Sequence, residues 1–160
     1  MVELQELLAG EGFQDVATYL QSGNVALSSD APPERLAREC ESLIAARFGF
    51  DVPVVVRTHD QLAEVVRRDP LGDLATEPKR YQVSFLSDEL DASVVCELAA
   101  LAAPAERFVA IGRELYAWHP DGIARSKLSA ALGASRMLGV TATARNWTTV
   151  RKLLAMSQEG

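Results

Sequence analysis

The chain has 160 residues, 48% of them apolar and 24% charged, with a net charge of −6. That is ordinary globular composition, enough for one domain or two very small ones, and it argues against disorder. No apolar run approaches the roughly 18 residues that cross a bilayer, the opening Met-Val-Glu-Leu-Gln-Glu has no secretory character, and an acidic chain is a poor non-specific partner for nucleic acid.

In chain order, Leu4, Leu7 and Leu8 mark one face of a first helix that ends near Gly10 and Gly12. Val16 to Leu20 and Val25 to Ser28 read as two strands joined at Gly23-Asn24, a pair that accepts positive φ cheaply. Pro32 and Pro33 open a helix that runs to about Phe48 and stops at Gly49. Val52 to Val56 is a β-branched run suited to a strand. Thr58 with Gln61 forms a capping-box pattern for a connecting helix through Arg68, and Asp69 to Lys79 is a loop. The order then restarts: a strand over Tyr81 to Leu86 and a helix over Ala92 to Leu101. Strands at Phe108 to Ile111 and Leu115 to Trp118 are joined at Gly112-Arg113. A helix over Ser126 to Leu132, a strand over Val140 to Thr143 and a final helix over Trp147 to Met156 complete it.

These elements predict an α+β protein of two ferredoxin-like (βαββαβ) halves. They occupy residues 1–58 and 80–160, with a connecting helix and loop over 59–79 and a helix added at the C-terminus. The first half lacks its opening strand. In such a sheet that strand lies between the third and the fourth, so its absence leaves two strands short of a hydrogen-bonding neighbour. An N-terminally truncated chain is the expectation.

Charge is distributed unevenly. From Gly112 to Lys152 there are seven basic residues and two acids, so this segment is +5 against a chain total of −6 and the rest is −11. From Ile123 to Lys152 there is no acid at all. Within that stretch Arg125-Ser126-Lys127 and Arg145-Asn146 stand at predicted helix starts, with Ser126 and Asn146 as caps and Thr149 at the third helical position. Cations are locally unfavourable at helix N-termini, where free N–H groups attract anions. Capping alone explains Ser126 and Asn146; an anion site explains the cations as well. Trp147 either stacks on a ligand ring or anchors its helix in the core. Gln21, Ser22 and Asn24 either present polar groups to a ligand or only shape a hairpin tip. His119, in His119-Pro120-Asp121-Gly122, is either an acid/base residue or part of a surface turn.

Three stretches stand out: Tyr19-Leu20-Gln21-Ser22-Gly23-Asn24-Val25, then His119-Pro120-Asp121-Gly122-Ile123 leading to Ser126-Lys127-Leu128, and last Ala142-Thr143-Ala144-Arg145-Asn146-Trp147-Thr148-Thr149-Val150 with Lys152-Leu153 after it. Together they resemble one family, the bacterial proteins grouped as domain of unknown function 1697. The resemblance implies a two-part α+β protein, truncated here before a glycine-rich opening loop, and it carries no activity to transfer. Ala124 and Ala144 depart from the Gly and Thr that the resemblance implies.

The functional expectation is binding of a small anionic or nucleotide-like ligand by Arg125, Ser126, Lys127, Arg145, Asn146, Trp147 and Thr149, with Gln21, Ser22 and Asn24. The alternatives are a group-transfer enzyme using His119 beside that pocket, and RNA binding across a sheet that displays Tyr81 and Phe85 on one strand and Phe108 on another. No cofactor and no metal are expected: there is no phosphate-loop or dinucleotide-binding motif, and neither His59 nor His119 has metal-ligand spacing to Cys40 or Cys96. Both cysteines read as plain thiols, the partner as a small molecule with nucleic acid and membrane disfavoured, and the compartment as cytoplasmic.

Overall fold

A computed structural model describes residues 2–19 and 23–158. The chain divides into two compact units, Met1–Glu64 with Arg151–Gly160, and Val65–Val150.

In the first unit, α1 (Val2–Gly10) is followed by the antiparallel pair β1 (Gln14–Tyr19) and β2 (Asn24–Ser28). Gly23 makes the φ +89° turn into β2. Helix α2 (Pro33–Phe48) buries Leu36, Cys40 and Ile44, a stripe at four-residue spacing, and ends at left-handed Gly49, whose N–H returns to Ala45. Leu8, Leu36 and Cys40 form the core, with Val16, Val25 and Val56 packed against it. At the start of α3 (His59–Arg68) the expected capping box is present: Gln61 N donates to Thr58 Oγ1 at 3.1 Å, and Thr58 N to Gln61 Oε1 at 2.9 Å.

Val52 to Val56 corrects the sequence reading, because this run forms no strand. β-branched residues favour a ladder only when a ladder is there to join. No strand pairs with the run among the described residues, and Val54 N instead donates to the Glu41 carboxylate at 3.2 Å. The first unit therefore holds a two-stranded sheet.

The second unit contains β3 (Tyr81–Leu86), α4 (Ala92–Leu101), β4 (Arg107–Ile111), β5 (Glu114–Trp118), α5 (Lys127–Leu132), α6 (Ser135–Leu138), β6 (Ala142–Asn146) and the start of α7 (Trp147–Gln158). Its antiparallel sheet has the order β4-β5-β3-β6, so the first strand of a βαββαβ run lies between the third and the fourth. Gly112, at φ +57°, makes the β4–β5 turn. β6 begins two residues later than the sequence suggests. Thr141 is taken up by Ser87 instead: its N–H donates to Ser87 Oγ at 3.0 Å, and its carbonyl accepts Ser87 N–H at 2.9 Å.

Side chains opposite each other in an antiparallel pair share a face. Leu115 and Ala117 face α4 and α5 and meet Leu98, Leu128 and Leu132 in the main core. Tyr81, Val83, Phe85, Tyr116 and Trp118 occupy the opposite face, and this too is covered. Tyr116 donates its hydroxyl to Val65 O at 2.8 Å, Tyr81 donates to Asp69 Oδ1 at 2.8 Å, and Arg68 pairs with Glu114 at 3.0 Å. Tyr81 is 2% exposed and Phe85 6%, while Phe108 packs against the core on the other face. The sheet thus offers no open aromatic platform of the kind that stacks RNA bases.

Leu128 is fully buried and Leu74 half exposed. Leu128→Ala should cost about 2–5 kcal/mol, the range for emptying a packed leucine site. Leu74→Ala should be near neutral, and chemical denaturation of both variants checks the contrast.

Candidate functional site

Ser126 caps α5 as the sequence suggests: its Oγ accepts Ser129 N–H at 3.0 Å. The same oxygen donates its proton to Glu106 Oε2 at 2.6 Å. His119 continues the alternation of Leu115 and Ala117, which puts it on the helix-covered face, and it is completely buried. The surface-turn reading of His119 is therefore corrected. Its Nδ1 lies 2.6 Å from Glu106 Oε2. Glu106 Oε1 accepts Ala103 N–H at 2.8 Å, and Glu106 is 7% exposed.

Burial pushes the Glu106 carboxyl upward, but the Ala103 amide and the His119 and Ser126 bonds outweigh it and hold the group below its ordinary 4.5. A carboxylate ionised in this way can only accept, so the Nδ1 of His119 carries a proton toward it. His119 Nε2 is buried with no hydrogen-bond partner among the described residues.

The trio contains the residue types of a serine nucleophile system, yet its geometry is different. In such a system the serine meets one ring nitrogen and the acid the other. Here Ser126 Oγ and Glu106 both sit on the Nδ1 side, with Ser126 Oγ at 3.4 Å from Nδ1 and its proton committed to Glu106. No path takes that proton to Nε2. What the trio does is tie together three segments: the turn before β4, the end of β5 and the start of α5.

The intervening loop is held at further points. His119 N donates to Arg80 O at 3.0 Å, and Arg80 Nη1 to Pro120 O at 2.5 Å. Gly122 N returns to His119 O at 3.0 Å, with Gly122 at φ +93°, and Ser126 N donates to Ile123 O at 3.1 Å. Arg125 and Lys127, on either side of Ser126, are exposed. Neither has an acid partner among the described residues.

The second basic motif reaches the same end of the sheet. β5 ends with Trp118 opposite Tyr81, and β6 ends with Asn146 opposite Gln82. Asn146 Oδ1 accepts Thr149 N–H at 3.0 Å and so caps α7. Trp147 is buried and stacks on Tyr81 with ring centroids 4.7 Å apart, and Thr149 is buried. Arg145 pairs with Val83 and so lies on the face opposite to Leu115 and Ala117. Its Nη1 donates to Thr143 Oγ1 at 2.7 Å and to Ala144 O at 2.8 Å, and burial lowers its pKa. The sheet thus sets Arg145 apart from the α5 side that carries Arg125 and Lys127. In the first unit, Asn24 is buried and its Nδ2 donates to Tyr19 O at 3.0 Å. Gln21 and Ser22 lie outside the described residues.

Two partnerships escaped the sequence reading. Glu106 is the first charge after the uncharged run from Leu98 to Ala105, with Arg107 directly after it, and that position was the available signal. His59 Nδ1 meets Ser157 Oγ at 2.7 Å, across 98 residues, and nothing local announces it. Cys40, buried with its thiol pKa raised by burial, and the exposed Cys96 are both free. Among the described residues no three His, Cys, Asp or Glu side chains cluster as metal ligands, and no helix is long and apolar enough to cross a membrane.

Residues 1–116 match the family described as "Protein of unknown function (DUF1697)"; the match includes Glu106 and ends before His119. None of the curated proteins matches the sequence. A solved structure of a conserved bacterial protein from Streptococcus pneumoniae is similar, with a TM-score of 0.72 at 19% identity over 98% of this chain and 88% of that one. At that identity the likeness is one of fold.

The depressed Glu106 pKa has a stability consequence. A carboxyl whose folded pKa lies below its unfolded value contributes stability above the unfolded value and loses it as pH falls through the folded one. Glu106→Gln should therefore lower the thermal midpoint at about pH 7, with the gap to wild type narrowing as the pH is taken down to about 3. Melting curves across that range read the effect directly.

Proposed function

The chain belongs to the family of proteins of unknown function numbered 1697, and from that premise we propose that it binds a small anionic, nucleotide-like ligand at the loop carrying Arg125 and Lys127. The observation that carries this reading is the pairing of two exposed, unpartnered cations with a backbone pinned at Glu106, His119 and Ser126. A loop already ordered before binding loses little entropy when a ligand arrives. Guanidinium and ammonium groups flanking one residue can engage a phosphate or carboxylate together, the first by paired N–H donors and the second as a point charge. Asn146, Trp147 and Thr149 contribute to this reading by fixing the neighbouring strand end.

A group-transfer enzyme using His119 as base has less support. Its bare Nε2 is buried, and a general base must reach hydrogen-bonding distance of substrate or act through one water.

Calorimetric titration with inorganic phosphate, ribose 5-phosphate, adenosine monophosphate and citrate tests the binding reading. At least one should bind, and the double variant Arg125→Ala/Lys127→Ala should bind it at least about tenfold more weakly, a loss of about 1.4 kcal/mol. Equal affinity in the variant, or no heat from any of the four at millimolar concentration, contradicts it.

A further inference from the structure

The first unit has a cavity, wide open to solvent, that the basic loop does not explain. It has a volume of about 470 Å³ and is lined by Glu11, Phe13, Arg35, Arg38, Glu39, Ser42 and Leu43. That volume is within the range of small-molecule sites. We propose that this cavity binds a free α-amino acid with a large apolar side chain, independently of the anion site in the second unit.

Glu11 and Phe13 stand on a turn fastened to the end of α1: Glu11 N donates to Leu7 O at 3.1 Å, Gly12 N to Ala9 O at 3.2 Å, and Phe13 N to Leu8 O at 3.2 Å. Gly12, at φ +96°, makes that turn possible. The other wall is one side of α2. Phe13 and Leu43 are half-buried and packed against the core formed by Leu8, Leu36 and Cys40, which gives the cavity an apolar floor.

The charges divide into one satisfied pair and two unsatisfied groups. Arg35 Nε and Glu39 Oε1 lie 3.0 Å apart, four residues apart along the helix, so each neutralises the other. Arg38 and Glu11 have no partner among the described residues, and neither has the Ser42 hydroxyl. A lining with two cations and two acids carries no net charge and so favours neither a net anion nor a net cation. It suits a ligand carrying both signs. The carboxylate of an amino acid meets the Arg38 guanidinium with the Ser42 hydroxyl beside it, its ammonium meets Glu11, and its side chain covers Phe13 and Leu43.

Amide chemical-shift titration of the ¹⁵N-labelled protein with L-phenylalanine tests the proposal. Saturable shifts are expected at residues 11–13 and 35–43, with the second unit unmoved. N-acetylphenylalanine, lacking the ammonium, and phenylalaninamide, lacking the carboxylate, should each bind at least about tenfold more weakly. Arg38→Ala and Glu11→Gln change exposed side chains and should preserve the amide spectrum elsewhere while weakening L-phenylalanine by a similar factor. Absence of saturable shifts up to about 10 mM overturns the proposal. So does equal binding of the capped compounds, which indicates a merely apolar surface.

Discussion

The Glu106 carboxylate is the interaction around which the second unit is organised. Taking an ionised carboxyl out of water costs several kcal/mol unless donors replace the lost hydration. Three donors do so here: the Ala103 amide, the His119 ring and the Ser126 hydroxyl. Each donor comes from a different place in the chain, so satisfying one charge brings together the entry to β4, the exit from β5 and the start of α5. Removing any one of them leaves the others facing an incompletely solvated group, which is why a network like this is stiff. Stiffness at this point passes to the loop from Pro120 to Arg125 and to the start of α5, so Arg125 on the one and Lys127 on the other are carried by a backbone that largely buried groups hold.

The opposite face of the same sheet is closed by contacts of another kind. Tyr116 and Tyr81 are large apolar bodies with one polar tip each, and both tips find partners in the segment running from Val65 to Leu71. Trp147 completes the cover by stacking on Tyr81. Aromatic residues that could read bases in an open sheet are thereby spent on packing. Arg125 and Lys127 lie outside this packing, exposed where the chain passes from β5 into α5.

Much of this architecture was legible because it is local. The strand at Tyr81–Leu86, the turn at Gly112, the Thr58–Gln61 box and the caps at Ser126 and Asn146 all follow from residues within five positions of one another. What was not legible depends on partners distant in sequence. Val52 to Val56 has a strand's composition but no neighbour to pair with, so composition alone misleads. Arg145 reads as a companion of Arg125 and Lys127, yet a one-residue offset from Asn146 turns it to the other side of the sheet. His119 looks like a turn residue because Pro120 and Gly122 follow it, and only the acid thirteen residues earlier explains its burial.

Glu106, only 7% exposed, holds the segment that carries Arg125 and Lys127. Amide hydrogen exchange compared between wild type and Glu106→Gln at neutral pH tests it most directly. Faster exchange is expected at Gly122, Ser126 and Ser129, whose amides bond within the pinned loop and the first turn of α5, with protection in β3 retained. Unchanged protection at those three amides would contradict it.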